Sequence, residues 1–310
     1  MTGMSQPPTH VPAVSVVMTV YNTARYVAEA VDSVLAQTFR DFEFVVVDDG
    51  STDGSLSILR DRERRDARIR LISRPNTGIV RAANEGMELA RGHYIARMDS
   101  DDVCLPRRFE AQVAYLDAHP QCVLVGSRVT VVDPYGSPVF ESGQKLTHEE
   151  IDAELLGSGG GWAIVQPSAM MRAEAVRRVG GYRGRHNVSE DQDMFLRLAE
   201  VGRVANLPEP LLLYRRHYKS VMHTQWRQRE EVKERIVREA FARRGLVMPA
   251  DWKFDDWKPT PLAEQSRSWG WAALKRGNVS VARRHALHAV RTAPLSGEAW
   301  RLAFCALRGR

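Results

Sequence analysis

Cysteine is scarce: Cys104, Cys122 and Cys305 are the three in a chain of 310 residues, and no two form a Cys-x-x-Cys pair. That argues against a disulfide framework or a cysteine zinc site, and it fits a reducing compartment. No uninterrupted apolar run reaches the roughly 20 residues of a membrane-spanning helix. The segment Met1–Pro12 is polar and has no apolar core behind a charged start. It lacks the form of a signal peptide and is expected to be a disordered leader, residues 1–12. These absences predict a cytoplasmic protein, in which the glycosylation patterns at Asn187-Val188-Ser189 and Asn278-Val279-Ser280 would go unused. Glycine-rich phosphate loops are missing as well. No Gly-x-Gly-x-x-Gly follows the first apolar run, and no Gly-x-x-x-x-Gly-Lys-Ser/Thr occurs. A bound nucleotide would need its phosphates neutralised by something else, and a metal ion is the obvious means.

Hydrophobic residues make up 44%, enough for a real core, and the formal charge is +6. Solubility explains a charge of that size, so no nucleic-acid partner is expected. The distribution is more informative. Between Ala263 and Arg310 the cations are Arg267, Lys275, Arg276, Arg283, Arg284, Arg291, Arg301, Arg308 and Arg310, against Glu264 and Glu298. Such a segment could rest on an anionic membrane, which predicts peripheral membrane contact.

Val14–Val20 is apolar at nearly every position, as in a strand buried on both faces. Val27, Ala30, Val31, Val34 and Leu35 then recur at helical spacing. Strand–helix alternation continues with Phe42–Val47, a helix through Leu56 and Leu59, Ile69–Ser73, a helix from Ile79 to Ala90, and Tyr94–Met98. The pattern predicts an α/β fold, a parallel sheet with helices on its faces. In such sheets ligands bind beyond the carboxyl ends of the strands. Thr19–Asn22, Asp48–Ser51 and Asp99–Asp102 all fall there.

The last of these carries the chemistry. Asp99, Asp101 and Asp102 lie within four residues. Acids this close repel unless a cation sits among them, and hard divalent ions prefer oxygen ligands. The competing reading is an acidic turn that caps a helix beginning near Pro106. Farther on, Gly157–Trp162 is a glycine-rich loop that ends in an aromatic. It suits a lid, a sugar-stacking platform, or a surface loop anchored by Trp162. Glu190 and Asp191 open a helix through Leu198, and Leu211–Tyr214 is a short strand leading into Arg215-Arg216-His217. Thr224–Arg243 is a charged amphipathic helix, and Asp251–Pro261 is the expected linker. Three helical stretches follow, Leu262–Arg276, Val279–Thr292 and Gly297–Leu307, in the manner of one tetratricopeptide-like hairpin.

The order Val-Ser-Val-Val-Met-Thr-Val-Tyr-Asn, Gln37-Thr38-Phe39, Val-Asp-Asp-Gly-Ser-Thr-Asp, Asn84-Glu85-Gly86, Met-Asp-Ser-Asp-Asp, Gly-Gly-Tyr and Glu-Asp resembles family 2 glycosyltransferases with the GT-A fold. The resemblance runs from about Val14 to Val221. It implies a GT-A-type nucleotide-binding sheet with flanking helices over residues 13–222. An amphipathic helix and linker (223–261) and a C-terminal helical extension (262–310) would follow. The implied activity is inverting, hexosyltransferase-type transfer from a nucleotide-sugar donor to a carbohydrate or lipid-linked acceptor, dependent on Mn²⁺ or Mg²⁺. It fits polysaccharide or glycoconjugate synthesis.

The same resemblance implies roles for particular residues. Thr19 and Tyr21 would border the nucleotide base, and Asp49 would accept a hydrogen from it. Arg81, Asp99 and Ser100 would also face the nucleotide-sugar. Asp101 would be the main metal ligand, Asp99 the second, and His217 a further contact. Asp102 would support the following helix, and Arg215 or Arg216 would pair with the diphosphate. Asp191 would be the catalytic base, with Glu190 and Trp162 on the acceptor side. Gln166-Pro167-Ser168 departs from the His-Pro of many relatives. The competing functions are a nucleotidyltransferase and a binding protein that has lost catalysis.

Overall fold

The computed structural model describes residues 10–157, 162–184, 188–218, 226–250, 252 and 258–309. The expected leader up to residue 9, most of the glycine loop before Trp162, Asn187 and most of the linker lie outside them.

The expected alternation is present. Strands β1 (Val14–Val20), β2 (Phe42–Asp48), β3 (Ile69–Ser73) and β4 (Tyr94–Asp99) are separated by helices α1 (Val27–Leu35), α2 (Ser55–Arg65) and α3 (Ile79–Leu89). All four strands pair in parallel, in the order β3-β2-β1-β4. Short β5 (Val103–Cys104), α4 (Arg108–Ala118), β6 (Cys122–Val132), β7 (Pro138–Ser142), α5 (His148–Leu156), β8 (Met170–Arg172) and α6 (Ala173–Val179) come next. Then follow α7 (Glu190–Ala199), β9 (Arg203–Arg215) and α8 (Trp226–Arg243). Among the described residues the sheet has nine strands and continues as β4-β8-β6-β9-β5, with β7 beside β6. It is mixed rather than wholly parallel: β8 runs antiparallel to β4 and β6, whereas β6 and β9 pair in parallel.

Alternation along each strand divides the core in two. Val14, Val16, Met18 and Val20 of β1 pack with α1, Phe44, and Phe109, Val113 and Leu116 of α4. Val17 turns the other way, onto Val80, Ala83 and Met87 of α3 and into the cluster containing Met194 and Phe195 of α7. Even-numbered β4 side chains Tyr94, Ala96 and Met98 belong to the first cluster. Arg97 and Asp99 therefore point to the α3–α7 side.

The C-terminal helices are α9 (Leu262–Lys275), α10 (Val279–Thr292) and α11 (Gly297–Arg308). They bury a core of their own around Ala273, Ala282, Ala286 and Leu302, joined by Tyr135 of the β6–β7 turn. The unit docks on that turn and on β7: Asn278 donates to Ser137 Oγ at 3.1 Å, and Arg276 donates to the Val139 carbonyl at 3.2 Å.

Candidate active site

Register brings the strand ends level. Thr19 pairs with both Val47 and Asp99, and Val20 pairs with Asp48. Beyond β1 the chain turns through Asn22, whose φ of 55° lies in the left-handed region that Asn tolerates. Asn22 Oδ1 accepts from Thr52 N at 2.8 Å and its N–H donates to Ser51 Oγ at 3.0 Å, tying the first two loops together. Tyr21 stands exposed at this rim.

Asp49 is nearly buried and already engaged. Its oxygens accept from Thr77 N and Gly78 N at 2.9 Å each, and Arg74 Nη1 lies 2.7 Å away. It thus fixes the start of α3, and Arg81 sits exposed on that helix's first turn. Asp48 Oδ2 accepts from Ser73 Oγ at 3.1 Å, while Asp48 Oδ1 is buried without a hydrogen-bond partner.

The acids after β4 diverge. Ser100 is buried and its Oγ accepts from Thr23 Oγ1 at 3.0 Å. Asp101 Oδ2 lies 2.9 Å from His217 Nε2, and the imidazole stacks on Tyr26 at 5.5 Å between centroids. Asp102 does not support the helix that follows, because α4 begins at Arg108 with no side-chain cap. Instead Asp102 Oδ1 accepts from Arg215 N at 2.7 Å, its other oxygen is buried without a partner, and burial pushes its carboxyl well up. The side chain of Arg215 donates to the Asp101 carbonyl and to Glu29, both at 2.8 Å. It braces the acidic turn instead of offering a guanidinium to a diphosphate.

Asp99 faces Arg97 at 3.6 Å rather than the Asp101–His217 pair. Among the described residues no three His, Cys, Asp or Glu side chains are grouped to hold a metal ion. Of the expected ligands Asp101 and His217 are in contact, an oxygen and a nitrogen donor of the kind that suits Mn²⁺ or another borderline divalent ion. Two protein donors leave most of a coordination shell to a ligand and water, so the pair fits a partly protein-held ion.

Glu190 and Asp191 occupy the first turn of α7, and their charges act on Asp99 and on one another. Burial raises the Asp99 carboxyl to about 6, Arg97 opposes that rise, and Asp101 and Asp191 add to it. Burial and then the Asp191 charge raise Glu190 to about 8. Asp191 is also raised by burial, partly offset by the Gln192 N–H, which its Oδ1 accepts at 2.8 Å, and by Arg229. Arg97, absent from the sequence expectations, stands behind these carboxylates. It is fully buried, donates to the Val17 carbonyl at 2.7 Å, and presents Nε and Nη2 without hydrogen-bond partners. A charge inside a run buried on both faces was the signal for it.

Trp162 is half-buried, edge-on to Phe140 at 6.2 Å and to Tyr214 at 5.7 Å. Of the readings open for it, an anchored ring matches this packing.

A family model described as "Glycosyl transferase family 2" matches residues 15–180. The candidate glycosyltransferase EpsE of Bacillus subtilis (strain 168) is 37% identical over 205 residues, 64% of this chain and 72% of that protein. The amylovoran biosynthesis glycosyltransferase AmsE of Erwinia amylovora is 31% identical over 207 residues, 65% and 75%. In structure the chain is similar to the mannosyltransferase PcManGT of Pyrobaculum calidifontis, solved in complex with GDP-Man and Mn²⁺. The TM-score is 0.55 at 20% identity, with 98% of this chain and 82% of that one covered. At this identity the likeness concerns the fold, GT-A.

Proposed function

This chain belongs to glycosyl transferase family 2, and from that premise we propose that it moves a hexosyl group from a nucleotide-sugar to an acceptor hydroxyl with inversion. What supports the reading is that Asp99 and Asp101 follow the level strand ends while Glu190 and Asp191, in the first turn of α7, act on Asp99 and on each other through their charges. Asp191 takes the proton of the acceptor hydroxyl as that oxygen bonds to the anomeric carbon and the bond to the diphosphate breaks. Its raised affinity for protons suits a base working near neutral pH. Thr19, Tyr21, Asp49, Arg81, Asp99 and Ser100 border the donor. Asp101 and His217 would hold Mn²⁺ or Mg²⁺, which supplies positive charge against the departing diphosphate. Glu190 and Trp162 lie toward the acceptor, which we place among polysaccharide or glycoconjugate chains, as the name of AmsE supports.

Asp191→Asn is expected to lower kcat by about 10²–10⁴-fold with donor KM nearly unchanged. Turnover equal to that of the unaltered chain would remove Asp191 from the role of base. Donor binding without turnover in the unaltered protein would favour the non-catalytic alternative.

We also place the acceptor at an anionic membrane surface. None of the described helices is long and apolar enough to cross a membrane. On α11, however, Trp300, Phe304 and Leu307 are exposed at one-turn spacing beside Arg301 and Arg308, and Leu295 before it is 99% exposed. Two copies meeting through this face would oppose arginines, whereas anionic headgroups complement them. Flotation with phosphatidylglycerol vesicles should be lost in W300A/F304A/L307A. Flotation unaffected by that triple variant would end the idea.

A further inference from the structure

His217 and Tyr218 are neighbours that serve different parts of the molecule. The His217 ring turns into the cleft, against Asp101 and Tyr26. Tyr218 turns out, into the C-terminal helices. Its ring lies flat on His288, 3.7 Å between centroids and 2° between planes, with Trp269 tilted beside it at 5.4 Å. Its hydroxyl is 3.0 Å from His285 Nδ1 and 3.1 Å from Ser266 Oγ.

The far end of this chain of bonds fixes the proton directions. Asp133 is buried, and its Oδ1 accepts from Tyr135 N and Ser137 N. Its Oδ2, a carboxylate oxygen, can only accept from His285 Nε2 at 2.7 Å. In the neutral imidazole this leaves His285 Nδ1 to accept the Tyr218 hydroxyl proton. The Ser266 hydroxyl donates to the Leu262 carbonyl at 2.8 Å, so its oxygen is left to accept from His288 Nδ1 at 2.8 Å while lying 3.1 Å from the Tyr218 hydroxyl. Asp133, His285 and Ser266 are all buried. A second route reaches the same imidazole: His285 packs on Tyr135, the Arg25 guanidinium lies over both the Tyr135 and Tyr26 rings, and Tyr26 stacks on His217.

We propose that Tyr218 is a positioning residue through which the C-terminal helices hold the His217 imidazole against Asp101. This deepens the reading of Asp101 and His217 as the pair facing the metal and diphosphate, and it rests on that reading. It gives the helical unit a part in the site that the family match, which ends at residue 180, does not contain.

The test uses the full chain with Tyr218→Ala, Tyr218→Phe and His217→Ala. The side-chain ¹⁵N resonance of His217, assigned by its loss in His217→Ala, should move toward that of a solvated imidazole in Tyr218→Ala. Tyr218→Phe keeps the ring stack without the hydroxyl and should fall between; it also serves if the alanine variant does not fold. Binding of Mn²⁺ with UDP, and separately with GDP, should weaken about 10–100-fold in Tyr218→Ala. A double variant joining Tyr218→Ala to His217→Ala should bind no more weakly than His217→Ala alone, because both act through one imidazole. An unmoved His217 resonance in both Tyr218 variants, or losses that add, would overturn the proposal. If His217→Ala binds Mn²⁺ and nucleotide normally, the site reading fails instead, and the resonance still decides whether Tyr218 positions His217.

Discussion

Arg97 is a fully buried cation within reach of Asp99, Glu190 and Tyr182. Burying a guanidinium is expensive unless carboxylates repay it, and here they do so while being held at raised proton affinity themselves. Arg97→Met keeps much of the volume and removes the charge. Asp99, Glu190 and Asp191 should then protonate at still higher pH. The acidic limb of kcat/KM is expected to shift upward by about one pH unit or more. An unshifted limb would show that the cation does not govern these acids. Asp49 teaches a different lesson. Its place after a buried strand was legible, but its bonds to Thr77 N and Gly78 N were not, since they depend on how the turn after β3 folds back.

Helix α3 lies very close to the sheet. A Cβ on Gly86 would stand 2.5 Å from Val17 Cγ1 and 3.4 Å from Val47 Cγ2. Alanine is the better helix former by about 1 kcal/mol, but overpacking typically costs about 1–3 kcal/mol and the overlap here is severe. Gly86→Ala should therefore destabilise the fold by about 1–2 kcal/mol in urea unfolding. A stabilised variant would mean that α3 can shift away. The first seven elements were readable from sequence because the strands are mostly apolar, despite Glu43, Arg70 and Arg97, and α1 and α3 repeat apolar residues at helical spacing. β5 and β8, with 2 and 3 residues, are too short to show any period. β9 runs 13 residues, yet only its Leu211–Tyr214 part is strand-like in sequence. Pro208 and Pro210 interrupt the pattern, and the β6–β9 register jumps from Leu207 to Pro210 at that point. The capping box of Thr147 and Glu150 at the start of α5 is legible in the sequence as Thr-x-x-Glu before Ile151 and Leu155.

Proton affinity also shapes the stability of the whole molecule. Asp99 at about 6 and Glu190 at about 8 hold protons that the unfolded chain releases near pH 4–5. Between roughly pH 4.5 and 8 the folded state binds more protons, so these groups make stability fall as pH rises. Asp53 is lowered by Ser55 and the Ala24 N–H, and Asp66 by Arg68; their contribution is present above about pH 4 and lost below it. Without ligand, Tm should be higher at pH 5.5 than at pH 8, and a rise across that interval would contradict the raised carboxyls.

The grip on Tyr218 also bears on what can be exchanged between relatives. A chain ending after α8 would keep Asp49, Asp99, Asp101, Asp191 and His217, yet it would lose Ser266, Trp269, His285 and His288. The family model matches residues 15–180 and stops short of both His217 and Tyr218. A chimera carrying another member's C-terminal helices would thus receive a sheet and its acids intact, with Tyr218 facing an unfamiliar partner. A junction between α8 and α9 would part Tyr218 from these partners, so residue 218 and the C-terminal helices would have to be exchanged together.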